Sequence, residues 1–227
     1  MIDLISIENH LPALQVVVPL LLAPVAILVS LPFLSWLVAL FGSLFCLYAS
    51  VSLFFQVSKF GKINYFMGGW LPPYGIEYVI DEASSFMIVL ISLMGVFATI
   101  FAYQSLKKEI NEKSQSKVYG MWLLALGGLL GLVTTGDAFN LFVFLEISSL
   151  SSVTLVALGS KKDKRALTAA FNYLLIGAVG ATFYVIGVGL LYSVTGTLNI
   201  ADLTIKISEL TANNSIKAGI SLSLIHI

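Results

Sequence analysis

Glu146 stands near the middle of FNLFVFLEISSLSSVTLVAL, an apolar run from Phe139 to Leu158. That run is long enough to cross a bilayer as a helix. An ionised carboxylate at such depth costs roughly 2.5 to 3.5 kcal/mol on insertion scales, so it requires a partner, a proton or a water-filled cavity. Proton transfer is the chemistry this residue offers, because burial raises a carboxylate's pKa and a nearby positive charge lowers it. The competing reading is a structural buried acid. On a helical wheel Ser149 lies one turn along and about 60° from Glu146, and Ser152 about as far again. The line suits bound waters, although helix packing or back-bonding to carbonyls also accounts for the serines. Asp137, just before the same run, is placed either to collect cations at an outer mouth or to complement the helix dipole. Asn172 and Tyr173, near the start of the next apolar run, are placed to line an inner proton path or to hydrogen-bond between helices.

The elements that must position these groups are membrane helices. Hydrophobic residues make up 58% of the chain and charged residues only 11%, too little charge for a water-soluble domain of this length. The 12 basic and 12 acidic side chains cancel, so net charge argues neither for a nucleic acid nor for an acidic surface partner, and no nucleic-acid partner is expected. Cys46 is the lone cysteine and lies inside an apolar run, where a thiol behaves as a small hydrophobe. His10 and His226 lie near opposite termini, so no pair within the spans is placed to ligate a haem. No CxxC pair, phosphate-binding glycine loop or nucleophile elbow occurs. The expectation is a chain with no metal and no cofactor.

Six apolar runs predict six spanning helices, at Pro12 to Leu31, Phe33 to Val57, Ala83 to Tyr103, Val118 to Thr135, Ala138 to Leu158 and Ala170 to Val194. Pro12, Pro19 and Pro24 predict a kinked, packed first helix that Pro32 ends. Ala166 to Thr168 are read as an interfacial turn before the sixth helix. Gly127 and Gly131, and the glycines of the sixth span, predict close helix packing. The N-terminal flank lacks the features of a cleaved signal peptide. Alternate loops then give an orientation. One side carries Lys107, Lys108, Lys113 and Lys117 with Lys161, Lys162, Lys164 and Arg165, whereas the other carries Lys59, Lys62, Lys206 and Lys217, diluted by Glu77, Asp81, Asp202 and Glu209. By the positive-inside rule the first side faces the cytoplasm and the N-terminus faces out.

Between the second and third helices, Gly68 and Gly69 permit a tight turn, Pro72 and Pro73 fix an extended stretch, and IEYVI alternates like a strand. This predicts a short β-hairpin-like element on the outer surface, with Trp70, Tyr74 and Tyr78 at the membrane interface. Asp81 and Glu82 open the third helix as helix-start acids.

The stretches GGWLPPYGIEYVID, TGDAFNLFVFLE, AFNYLLIGAVGA and TGTLNIADL, in that order, resemble the proton-conducting antiporter subunit family. That family takes in the D and A subunits of Mrp-type cation/proton antiporters, the membrane-arm subunits of complex I and related membrane hydrogenase subunits. The first two stretches look most like the Mrp D subunit. The resemblance implies an all-α polytopic bundle of about fourteen helices with two inverted repeats. Of these the chain holds six helices and the start of a seventh, forming the N-terminal part of the bundle as a single membrane domain. Residues 1–117 correspond to three leading helices with the outer loop, and residues 118–227 to the first three helices of the first repeat. The resemblance places the family's fifth-helix carboxylate at Glu146. In the family that carboxylate pairs with a lysine on a broken seventh helix, and the pair gates proton movement. That lysine has no counterpart here. The closing segment AGISLSLIHI is too short to cross a bilayer, and Lys217 at its entry is not assigned the role, so the chain reads as truncated.

Three functions follow as expectations. The first is a proton-conducting membrane subunit of a multisubunit Na⁺(K⁺)/H⁺ antiporter in the plasma membrane, working with sibling membrane subunits. The second is a proton-pumping subunit of a complex I-like quinone oxidoreductase or membrane hydrogenase, in which soluble partners carry the electrons. The third is a structural scaffold in which Glu146 is merely hydrogen-bonded. In the first reading the chain is a transporter part rather than an enzyme.

Overall fold

A computed structural model describes residues 7–161, 163–210 and 214–225. Lys162 and His226 lie outside the described residues. The chain forms α1 (Leu11–Leu28), α2 (Pro32–Phe60), β1 (Ile63–Phe66), β2 (Glu77–Ile80), α3 (Glu82–Glu109), α4 (Glu112–Thr134), α5 (Ala138–Leu158), α6 (Arg165–Thr195), α7 (Ile200–Glu209) and α8 (Asn214–Ile225). The helices α1 to α6 are long and apolar enough to cross a membrane, as the composition predicts.

Local chemistry sets the ends of these elements. Ser30 takes a left-handed φ of 58° after α1, and Pro32 then sits in the first turn of α2. There its fixed φ and missing N–H cost nothing. Pro32 therefore opens the second helix, while α1 already ends at Leu28 and runs through Pro19 and Pro24. Gly61 and Gly196, both at positive φ, close α2 and α6. Asp81 and Ser84 form a reciprocal capping box at the start of α3, which stabilises that helix end.

Several boundaries differ from the sequence reading. The basic stretch 107–117 is almost entirely helical, with Lys107 and Lys108 in the last turn of α3 and Lys113 and Lys117 on α4. A hydropathy scan ends a helix at its charged turns, yet lysine is a good helix former and its charge suits a helix C-terminus. α6 likewise begins in the charged flank, at Arg165, a good helix former, so Ala166 to Thr168 belong to the helix and form no separate turn. The short helix α7 falls in a stretch too polar to register as a span. It is amphipathic, capped by Asn199, and seats Leu203 and Ile207 against Val188, Leu191 and Ile216.

β1 and β2 pair antiparallel, Ile63 opposite Ile80 and Phe66 opposite Glu77. Trp70 and Tyr74, in the connection between the strands, are exposed. Tyr78 is not interfacial: it is 3% exposed, bridges Thr135 and lies with its ring 6.3 Å from Phe144. Strand alternation turns it inward beside Ile80.

The core sits in α1 to α4. In the most apolar window of α4, 56% of residues are buried, against 17% in α5 and in α6; α4 is thus the hub and α5–α6 a flanking arm. Small residues let the helices approach closely. Gly120 faces Ile27 and the carbonyl of Ala23, Gly127 faces Pro19 and Leu20, and Gly131 lies against the ring of Phe144. Gly127 and Gly131 thus serve two different neighbours, α1 and α5. Thr99 knits the bundle: its hydroxyl accepts from the indole N–H of Trp122 at 2.8 Å and lies 3.0 Å from Ser43 Oγ, while its carbonyl accepts from the Trp36 indole.

Candidate functional site

α5 carries Glu146 at about its midpoint. The helix is fixed at its start by Asp137, whose Oδ1 accepts the N–H of Asn140 at 2.7 Å. Its body is fixed by two close crossings on α4, where Gly128 lies against the Ser148 backbone and Gly131 against Phe144. Glu146 is half-buried. Among the described residues no hydrogen bond or ion pair engages its carboxylate. Within an apolar helix such a group keeps its chemistry available: it must find water, a proton or a cation.

Beside it, between α5 and α6 with α4 behind, lies a cavity of about 470 Å³. Ser148, Ser149, Ser152 and Tyr173 supply its polar lining, and Leu129 and Gly177 are among the rest. The space is large enough for several waters, each of which needs polar partners. The Ser152 hydroxyl donates back to the Ser148 carbonyl at 2.8 Å, so its lone pairs remain as acceptors. Ser149 makes no hydrogen bond among the described residues, and a Cβ added at Gly177 would come within 3.1 Å of its Oγ. The absence of a side chain on α6 therefore leaves room for that hydroxyl.

The cavity thus gathers Ser149, Ser152 and Tyr173, and the helix that lines it carries Glu146. The other two sequence candidates lie elsewhere. Asn172 is exposed on α6 and does not line the cavity. Asp137 is at the far end of α5, 8% exposed, serving as the helix cap. Burial raises its carboxyl above the usual range, partly offset by the hydrogen bonds of Asn140 and Phe139.

A feature that sequence reasoning missed surrounds Asp137. Thr135-Gly136-Asp137 and Thr197-Leu198-Asn199 adopt the same local structure. In each the threonine hydroxyl accepts the Asx N–H at 3.3 Å, and the Asx side chain caps the following helix. The two segments then pair: Ala138 N–H donates to the Leu198 carbonyl at 2.8 Å and Ile200 N–H to the Gly136 carbonyl at 2.9 Å. Asn199 also donates to Glu77 Oε2 at 2.8 Å, and Gly136 N–H to the Glu77 carbonyl. This knot ties the starts of α5 and α7 to the hairpin. Its signal in the sequence is a pair of Thr-x-Asx triplets, each preceding an apolar helix start.

Comparison with known proteins places this geometry. Residues 135–226, which hold the knot, α5 and α6, match the family described as NADH:quinone oxidoreductase/Mrp antiporter, TM. The N subunit of the NADH-quinone oxidoreductase of Desulforudis audaxviator is 41% identical over 204 residues, covering 88% of this chain and 40% of that protein. The D subunit of the Na(+)/H(+) antiporter of Alkalihalophilus pseudofirmus is 32% identical over 203 residues, covering 89% of this chain and 40% of that protein. The chain belongs to this family of antiporter-like membrane subunits.

Solved structures agree. The antiporter-like chain superposes on a chain of an archaeal membrane-bound sulfane sulfur reductase with TM-score 0.86 at 29% identity, covering 96% of this chain and 44% of that one. With the Mrp complex from Dietzia the TM-score is 0.82 at 28% identity, covering 98% and 40%. These neighbours are multisubunit membrane complexes, and the fold is that of their polytopic antiporter-like subunits. The chain spans about two fifths of the length of the relatives it matches.

Proposed function

We propose that this antiporter-like chain forms part of the proton path of a multisubunit monovalent cation/proton antiporter, and that Glu146 is the group that takes up and releases the proton. The observation that carries this reading is the unpartnered, half-buried Glu146 on a helix whose neighbouring face lines a cavity with Ser149, Ser152 and Tyr173. Waters held by those hydroxyls deliver protons to the α5 face, and a passing cation changes the proton occupancy of the carboxylate by Coulomb interaction. The described lysines do not serve as that cation. Lys206 is held by Asp202 at 3.1 Å and by the Thr195 carbonyl, and Lys217 is exposed in the first turn of α8. The likeness to the D subunit of a Na(+)/H(+) antiporter supports sodium as the exchanged ion, and potassium is the alternative. The plasma membrane is the proposed location, and the basic ends of α3, α4 and α6 support an orientation with the N-terminus outside.

A redox-driven proton pump is the second reading, and the 41% identity to the N subunit of an NADH-quinone oxidoreductase favours it. Both readings use Glu146 in the same way and differ in what drives it. Genes for small antiporter subunits beside this one support the first, and genes for flavin or iron–sulfur subunits the second. The shared mechanism is tested by Glu146→Gln in the assembled complex. Proton flux falls roughly 10²-fold, the cost of losing a positioned proton-transfer group, while assembly persists. Undiminished flux with intact assembly would sink the proposal and leave the scaffold reading.

A further inference from the structure

At the end of the bundle away from the hairpin, Pro32, Phe33, Tyr103, Lys107, Glu112 and Gln115 enclose a pocket of about 490 Å³. Its walls are anchored. The Trp36 indole donates to the Thr99 carbonyl at 3.0 Å, and its ring lies 4.6 Å from that of Tyr103. Phe33 leans on both, at 5.9 and 6.3 Å. Gln115 donates to the carbonyls of Leu106 and Ile110, which fixes the α3–α4 turn. The ammonium of Lys107 is held 3.9 Å above the Tyr103 ring, and no acid pairs with it among the described residues.

The charge around the pocket is unbalanced. Residues 107–117 carry Lys107, Lys108, Lys113 and Lys117 against Glu109 and Glu112, and all four lysines are exposed. Beyond the pocket, Phe33, Leu37 and Phe41 are exposed at helical spacing along α2, with Phe97 and Phe101 exposed on α3. A cation at the polar boundary above an exposed apolar flank matches a phospholipid more closely than any water-soluble anion.

We infer that this pocket binds the headgroup of an anionic, hydroxylated phospholipid of the phosphatidylglycerol type. The lipid phosphate accepts hydrogen bonds from the Lys107 ammonium, the one lysine that lines the pocket. Headgroup hydroxyls donate to Glu112, and one acyl chain follows the exposed α2 flank. Glu112 explains why the occupant carries hydroxyl donors in addition to its negative charge.

The test uses the full chain in phosphatidylcholine vesicles, with Trp70→Phe and Trp122→Phe so that Trp36 alone reports, and circular dichroism confirming the helical content. Brominated phosphatidylglycerol is expected to quench Trp36 with about fivefold higher relative affinity than brominated phosphatidylcholine, the effect of roughly one lysine at a membrane surface. Brominated phosphatidylethanolamine should behave like phosphatidylcholine. Lys107→Gln should abolish the preference, Lys107→Arg should keep it, and Lys62→Gln at the other end should leave it unchanged. Equal quenching by all three lipids, or a preference that survives Lys107→Gln, would overturn the inference. Relief of quenching by inorganic phosphate at matched ionic strength would reassign the pocket to free phosphate and overturn it as well. Should Trp122→Phe disturb the fold, the same comparison of Lys107→Gln with Lys62→Gln is made in the parent chain by counting retained phosphatidylglycerol in native mass spectra.

Discussion

In the α1–α4 bundle Thr99 is hydrogen-bonded to groups on α2 and α4, whereas in the α5–α6 arm Glu146 engages none among the described residues. The bundle buries its polar groups in pairs. Ser35 donates to the Ala26 carbonyl and pairs with the Ser116 hydroxyl, and Ser43 pairs with Thr99. Its one exception is the amide nitrogen of Gln15, fully buried without a partner among the described residues. The arm has lower internal burial, a cavity, and a carboxylate with no partner among the described residues. A scaffold gains from satisfied polarity, because unsatisfied groups in hydrocarbon cost several kcal/mol. A proton path needs the reverse. The contrast is what the proposed function expects, with rigidity in α1–α4 and proton transfer in α5–α6.

The largest effect that would break this division is on flux. Glu146→Gln should remove roughly 10²-fold of proton movement in the assembled complex, while Thr99→Val, deep in the bundle, should leave flux per assembled complex nearly unchanged. Equal losses of flux from the two variants would dissolve the contrast. Next in size is packing. Gly120→Ala brings a methyl within 2.8 Å of the Ala23 carbonyl and should destabilise by about 1–3 kcal/mol. Gly189→Ala on the arm meets open space and should be neutral or slightly stabilising through helix propensity. Thermal midpoints of the two variants in detergent check this; a Gly189→Ala midpoint as low as that of Gly120→Ala would contradict it. Thr99→Val removes the acceptor of Trp122 and a partner of Ser43, and should cost about 1–2 kcal/mol. Trp122 fluorescence, shifted as the indole loses its acceptor, reports it.

The smallest effects separate two acidic helix caps. Hydrogen bonds from Ser84 hold exposed Asp81 below the usual carboxylate range, so its contribution is present at neutral pH and is lost as pH falls through that lowered value. Burial holds Asp137 above the range, so its contribution is full below the ordinary carboxylate pKa and declines as pH rises through the raised one. Asp137→Asn, which keeps the cap, should remove that decline, and Asp81→Asn should remove the acid loss. Chemical-denaturation midpoints measured across pH 3 to about 7 in each variant would show opposite slopes removed; slopes of the same sign would refute the assignment.

How far the sequence carried the site follows from which residues act locally. The half-buried place of Glu146 within a spanning helix was legible, because it follows from a lone carboxylate in an apolar run. The capping role of Asp81 and the pairing of the IEYVI strand were legible too, since both follow from near neighbours. Tyr78 was not: hydropathy gives its amphipathic ring an interfacial place, and only the contacts with Thr135 and Phe144 bury it. Asn172 and Tyr173 are adjacent and equally polar in sequence, yet about 100° of helix rotation puts Tyr173 on the cavity and Asn172 outside it.

By itself the sequence determined the solvent, the number of spans and the one intramembrane carboxylate, because each depends on transfer free energy summed over a contiguous stretch. Tertiary structure alone decided that Gly127 and Gly131 face different helices, that Thr99 joins three, and that two distant Thr-x-Asx triplets meet across a shared ladder. Those facts depend on which surfaces come together, and long-range contacts between equally apolar helices leave no mark on local hydropathy.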